Sequence, residues 1–181
     1  MQKKNFVFSL AFTTIVRFLR VFPNNDPIMG CIMPSSRKSP YIAALFAFVA
    51  MFSFDLITSG IGTWTYVTAI TYAGLAFFFS YYFKNFKKIR IKHYISGGVI
   101  GVIIFDIITG PLMSTFLFHQ PLLVTTLGQI PFTIYHLVSA TTYIFILAPI
   151  LDLDIRAEFS EYASKIYNYF VTIFGLLGGF R

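Results

Sequence analysis

Apolar runs separated by short breaks of glycine, proline and charge make up most of this chain. The first run, residues 6–22, ends at Pro23 and carries Arg17 and Arg20 in its second half. The PNNDP stretch at residues 23–27 is dense in turn formers and must leave a regular helix. Residues 28–33 are apolar but far too short to cross a bilayer, which takes about 20 residues. They predict a short or broken second helix, from which the chain returns through PSSRKSP at residues 34–40. The runs 41–58, 63–83, 94–117 and 122–151 are each long enough to span. They are parted by SGIG at residues 59–62, by a basic loop, and by His119-Gln120-Pro121. Gly110-Pro111 is expected to distort the outer part of the fifth helix, and GQIP at residues 128–131 to interrupt the first half of the sixth. The pattern predicts an all-α, polytopic membrane protein, with about six transmembrane helices forming one domain over residues 1–151.

The remainder, residues 152–181, has a different pattern. Ile155, Phe159, Tyr162, Ile166, Tyr169 and Ile173 recur at alternating spacings of four and three, while Glu158, Glu161 and Lys165 lie elsewhere on the wheel. This is an amphipathic helix. Its most apolar part, residues 167–180, is short for a span, so a helix lying on the cytoplasmic surface or docked on a partner is expected.

Composition agrees and narrows the reading. Of 181 residues, 56% are hydrophobic and only 12% charged, which excludes an ordinary water-soluble domain. A net charge of +7 would suit nucleic acid, but the positions of the cations argue against such a partner. Lys84, Lys87, Lys88, Arg90 and Lys92 crowd one loop between apolar runs, the signature of a cytoplasmic loop. Lys3, Lys4, Arg37, Lys38 and Arg156 fall on the same side if six segments cross, whereas the turns near Asn24, Gly60 and Gln120 carry hardly any Lys or Arg. Both termini are therefore expected in the cytoplasm, with the chain in the cell membrane (plasma or inner). Arg17 and Arg20 interrupt the first run and no small-residue cleavage site follows, so a retained helix is expected in place of a signal peptide. Cys31 stands alone, which allows no internal disulfide.

Candidate chemistry lies in the acids of the apolar runs. Phe54, Asp55, Ile57 and Thr58 recur in register as Phe105, Asp106, Ile108 and Thr109. An ionised carboxylate in hydrocarbon costs at least about 2.5 kcal/mol, so such acids usually face a bundle interior or a wet cavity. At about 1.5 Å per residue, Arg17 and Arg20 lie roughly 16–21 Å along their helix, Asp55 about 22 Å and Asp106 about 19 Å. Two cations and two anions thus share the outer half of the bilayer on helices running the same way. They would form either a closed ion-pair cluster that pins the bundle or a cavity that receives a polar solute. The helix breaks at the same depth favour the cavity, because broken helices are tolerated in membranes only against protein or water. Trp64, Tyr66, Gln129, Tyr135 and His136 are candidates to face the same space, though Trp64 also suits an interface anchor and His136 a hydrogen-bonded core residue. Gly97 and Gly101 have GxxxG spacing, and Ala43 and Ala47 offer a small face; packing is the default meaning of both. Acid–base catalysis by Asp55, Asp106 and His136 would require them within hydrogen-bond reach. The chain has no HExxH, no serine nucleophile motif and no phosphate-cradling GxxxxGK[ST], so it is not expected to be an enzyme or to carry a cofactor.

Arginine followed by PNNDP, the FSFDLITSGIGTW break at residues 52–64, GQIPFTIYH at 128–136 and LAPIL at 147–151 resemble the substrate-specific S component of energy-coupling-factor (ECF) vitamin transporters. The resemblance covers roughly residues 6–151. It implies a six-helix membrane protein that binds a vitamin-like solute near the outer face. Its partners would be a transmembrane coupling subunit and two ATPase subunits, which hydrolyse the ATP. The expected solute ligands are Arg17, Arg20, Asn24, Asn25, Asp55, Trp64, Asp106, Gln129 and His136. The chain departs from the family at two places: Ser9-xxx-Thr13 stands where an AxxxA contact is common on the first helix, and the amphipathic tail extends past the usual ending. A structural or assembly protein held by the same charges is the alternative.

Overall fold

The structure is a computed structural model that describes residues 3–20 and 24–178, with side chains described for residues 5–20 and 24–168. Phe22 and Pro23, the expected end of the first helix, lie outside the described residues, as do the side chains of Tyr169 and Ile173. The described residues form helices α1 (Lys3–Leu19), α2 (Pro27–Lys38), α3 (Pro40–Thr58), α4 (Thr63–Lys84) and α5 (Ile91–Ile107), a π-helical turn (Ile108–Leu112), then α6 (Met113–Phe118), α7 (Leu122–Leu151) and α8 (Leu153–Gly178). Among the described residues, three stretches are long and apolar enough to cross a membrane: Pro40–Thr58, Ile91–Phe118 and Leu122–Leu151. The chain is thus an all-helical protein of membrane type.

The short second helix is the post around which the rest gathers. Ten of the twelve residues of α2 are buried, and it packs on α3, α4, α5 and α7. At 1.5 Å per residue it is about 18 Å long, well under the roughly 30 Å hydrocarbon thickness. Asp26 caps its first turn by accepting from the Met29 N–H at 3.2 Å, with Pro27 in the first helical position. The sequence places a turn at residues 34–40, but the helix runs on through Pro34 to Lys38. The hydroxyls of Ser35 and Ser36 donate to the carbonyls of Cys31 and Met33, each at 2.8 Å, which supports the turn that the proline weakens. Ser39 is the true stop: its N–H closes α2 on the Ser35 carbonyl, its side chain accepts from Ile42, and Pro40 opens α3.

Small residues set the helix spacings. Ala43 and Ala47 are fully buried on α3. A Cβ on Gly101 would lie 2.5 Å from the Phe79 ring and 3.3 Å from Met29 Sδ, so α5 seats against α4 and α2 only because that side chain is missing. Helix α4 buries Thr65, Thr68, Ala69, Tyr72, Ala76, Phe79 and Phe83, a stripe at helical period.

The glycine and proline breaks fall largely as the sequence implies. The chain leaves helix between Thr58 and Thr63, and Gly60 takes a positive φ of 81° in that link. Pro111 sits inside the π turn, the form the expected distortion takes. GQIP does not interrupt α7, however: the helix passes through Pro131 unbroken, as apolar spans often do.

One end of the bundle is closed by a charged knot. Arg37 pairs with Asp152 and, at 2.5 Å, with Asp154; the Tyr94 hydroxyl donates to Asp152 at 2.5 Å. Ile155 is fully buried and Phe159 packs edge-on to Phe145, so the start of α8 docks on the bundle. Farther along, Tyr162 and Ile166 of the same apolar face are more than half exposed.

Candidate functional site: a buried acid–histidine–acid triad

Where α2 begins, α5 ends and α7 crosses the bundle, three titratable groups meet. His136 Nδ1 lies 2.7 Å from Asp106 Oδ1, and its Nε2 lies 2.8 Å from Asp26 Oδ2. All three are buried, with exposures of 1–3%. Each ring nitrogen has a carboxylate partner, so the imidazole is oriented from both sides, whatever the distribution of protons among the three groups. Local structure aims each member. Asp26 projects from the cap of α2, its Oδ1 on the Met29 N–H, and its own N–H donates to Ser139 Oγ at 2.9 Å. His136, Ser139, Ala140 and Tyr143 form the first buried turns of α7. Phe105 lies edge-on to the imidazole, with ring centroids 5.5 Å apart, and is tilted against Tyr72 at 4.2 Å; Tyr72 is buried beside Asp26.

The triad is closed on one side only. Asp106 Oδ2 is buried and makes no hydrogen bond among the described residues. A largely apolar groove of about 240 Å³ runs beside Asp106 on the outer face between α5 and α7, walled by the half-exposed Ile103, Ile107, Ile130 and Ile134, with Thr126, Gln129 and Thr133 as its polar members. The Gln129 side chain lies over Gly110, where a Cβ would stand 2.2 Å from its Oε1. Asn24, two residues before Asp26, has a buried Nδ2 without an acceptor among the described residues, but it does not line this groove. The unmet oxygen of Asp106 and the glutamine beside it are hydrogen-bonding groups of opposite capacity, an acceptor and a donor–acceptor amide. Among the described residues no group of three His, Cys, Asp or Glu is placed to hold a metal ion, and both imidazole nitrogens are already engaged.

The remaining candidates scatter. Asn25 bridges helices, donating to the Val16 carbonyl and accepting from the Tyr143 hydroxyl at 2.7 Å. Asp55 accepts from Thr65 Oγ1 at 2.7 Å, a bond that ties the end of α3 to the start of α4. Arg17 meets neither aspartate in an ion pair: its guanidinium lies 4.2 Å above the Phe54 ring and reaches Met51 Sδ at 2.8 Å. Arg20 is exposed at the helix end with φ 48°, and Trp64, Tyr66 and Tyr135 are each about half exposed. The expected four-charge cluster therefore does not form. The reason is neighbourhood: α1 packs on α2 and α3, whereas α5 packs on α7, so the group that reaches Asp106 is the imidazole of His136. Asp26, Ser139 and Tyr72 are the residues that sequence reasoning missed. Asp26 lay in plain view within PNNDP but reads there as a turn former.

No protein-family model, curated protein or solved structure matches the chain.

Proposed function

We propose that this chain is the membrane-embedded solute-capture subunit of a micronutrient importer, of the kind that ECF S components represent. The observation that carries the reading is Asp106 Oδ2, a buried carboxylate oxygen without a partner beside a groove large enough for a single-ring solute. Leaving such an acceptor unmet costs about 1–3 kcal/mol or more, and a bound donor removes that penalty. The resemblance in residues 6–151 supports the same assignment and adds a coupling subunit and ATPases as partners. On this reading six segments cross the cell membrane with both ends cytoplasmic, as the asymmetry of Lys and Arg between the loops favours. The ligand is a small polar or heteroaromatic solute.

Purification in mild detergent followed by mass spectrometry of the released small molecules tests the proposal. The wild-type chain is expected to retain one compound in near-stoichiometric amount. Asp106→Asn should retain it at least about tenfold less, as loss of a charged hydrogen bond entails. Gln129→Ala, which leaves the triad intact, should weaken retention to a lesser degree. Equal retention by wild type and both variants, or none by wild type, would end this reading. The closure of the triad favours one other function, a structural membrane protein pinned by Asp26, His136 and Asp106; under it the wild type retains nothing and all three residues matter only to stability.

A further inference from the structure

A second site lies at the opposite end of the bundle and does not rest on the capture function. The basic loop at residues 85–90 and the first turns of α8 enclose a cleft of about 530 Å³. Its carboxylates are already engaged. Asp154 is paired with Arg37, Glu161 with Lys165 at 2.7 Å, and Glu158 accepts the Ile91 N–H at 2.9 Å. Lys87, Lys88 and Arg90 line the same cleft, and none of them makes an ion pair among the described residues. Their field is felt there: the Glu161 carboxyl is held below its ordinary value, first by Lys165 and further by Lys88 and Arg90. Three unpaired cations around one concavity are the complement of a phosphate group. The surroundings distinguish a lipid from a soluble phosphate compound. Tyr162 lines the cleft and Ile166 follows one turn on, both more than half exposed, so apolar surface continues from the cations along α8.

We infer that this cleft binds the headgroup of an anionic phospholipid, with Lys87, Lys88 and Arg90 on the phosphate and the exposed face of α8 along the acyl chains. Anionic lipid attracts each nearby cation by about a kcal/mol, which for three corresponds to roughly a hundredfold in affinity.

The full chain in nanodiscs of phosphatidylcholine with a minor fraction of phosphatidylglycerol, released into native mass spectrometry, tests the assignment. Wild type should carry phosphatidylglycerol well beyond its bulk fraction. A Lys87→Gln/Lys88→Gln/Arg90→Gln variant should lose that enrichment by tenfold or more. A Lys38→Gln/Lys84→Gln/Lys92→Gln variant, with the same charge change outside the cleft, should keep it. Loss in both variants would reduce the effect to general attraction and overturn the site, as would no enrichment in wild type. In a second arm, inorganic phosphate at millimolar concentration should not displace the lipid. Displacement would assign the cleft to a soluble phosphate ligand and overturn the lipid assignment. Thermal unfolding of both variants in detergent, expected within about 2 °C of wild type, separates binding from folding.

Discussion

Two aspartates that read alike in the sequence do different work in the fold. Thr58 and Thr109 donate back to the carbonyls of Phe54 and Phe105 at 2.8 Å each, so the FDxIT ends share their local geometry. Beyond it they diverge: Asp55 meets one hydroxyl, Asp106 a buried imidazole. Asp55→Asn, which keeps an acceptor for Thr65, should cost about 0.5–1.5 kcal/mol, a small fall in the midpoint of thermal unfolding in detergent. His136→Ala strands two buried carboxylates and should cost about 3–5 kcal/mol by the same measurement. Adding Asp26→Asn and Asp106→Asn to it should recover part of that loss, because the stranded charges are then gone. What the sequence hid is direction. Counting residues along a helix gives the depth of Arg17, but at 3.6 residues per turn one position changes the facing by about 100°, and nothing in the first run tells which side meets α5. The same limit concealed Asp26, since a capping aspartate and a triad aspartate are written with the same residue in the same turn-rich stretch.

At the scale of the helix, period and punctuation carried most of the information. The stops at Thr58 and Phe118 and the distortion at Gly110-Pro111 were legible because glycine and proline act on backbone torsions directly. Pro34 and Pro131 were misleading for the converse reason: side-chain hydroxyls and an apolar surround keep a proline-bearing helix intact, and neither is visible in a local pattern. The glycine face of α5 read correctly as packing. Gly101→Val should therefore lower stability by about 1–3 kcal/mol through overpacking against the buried Phe79, seen as a lower unfolding midpoint. Gly110→Ala should behave otherwise. The nearest atoms to its methyl all belong to the flexible Gln129 side chain, which must move aside, so stability should stay within about 0.5 kcal/mol of wild type while the retained solute falls.

For the whole molecule, the proposed topology puts the basic loop and the turn near Gly60 on opposite sides of the bilayer. Ser59→Cys should react with a membrane-impermeant maleimide in intact cells, and Lys88→Cys only after permeabilisation; the reverse pattern would invert the topology. Buried Cys31 leaves the background low. The knot of Arg37, Asp152 and Tyr94 ties α2, α5 and α7 together where α8 departs. Asp152→Ala should cost about 2–4 kcal/mol, toward the low side because Arg37 is one-quarter exposed. The π turn, finally, sets a phase. A π turn holds one residue more than an α turn, so deleting one residue from Ile108–Leu112 should restore plain α-helix and leave the facing of α6 nearly as it is. Met113 would stay buried, whereas the same deletion in the regular helix of α5 would rotate everything beyond it by about 100°. Loss of one residue within this five-residue window should therefore be better tolerated than loss of one from the helix before it.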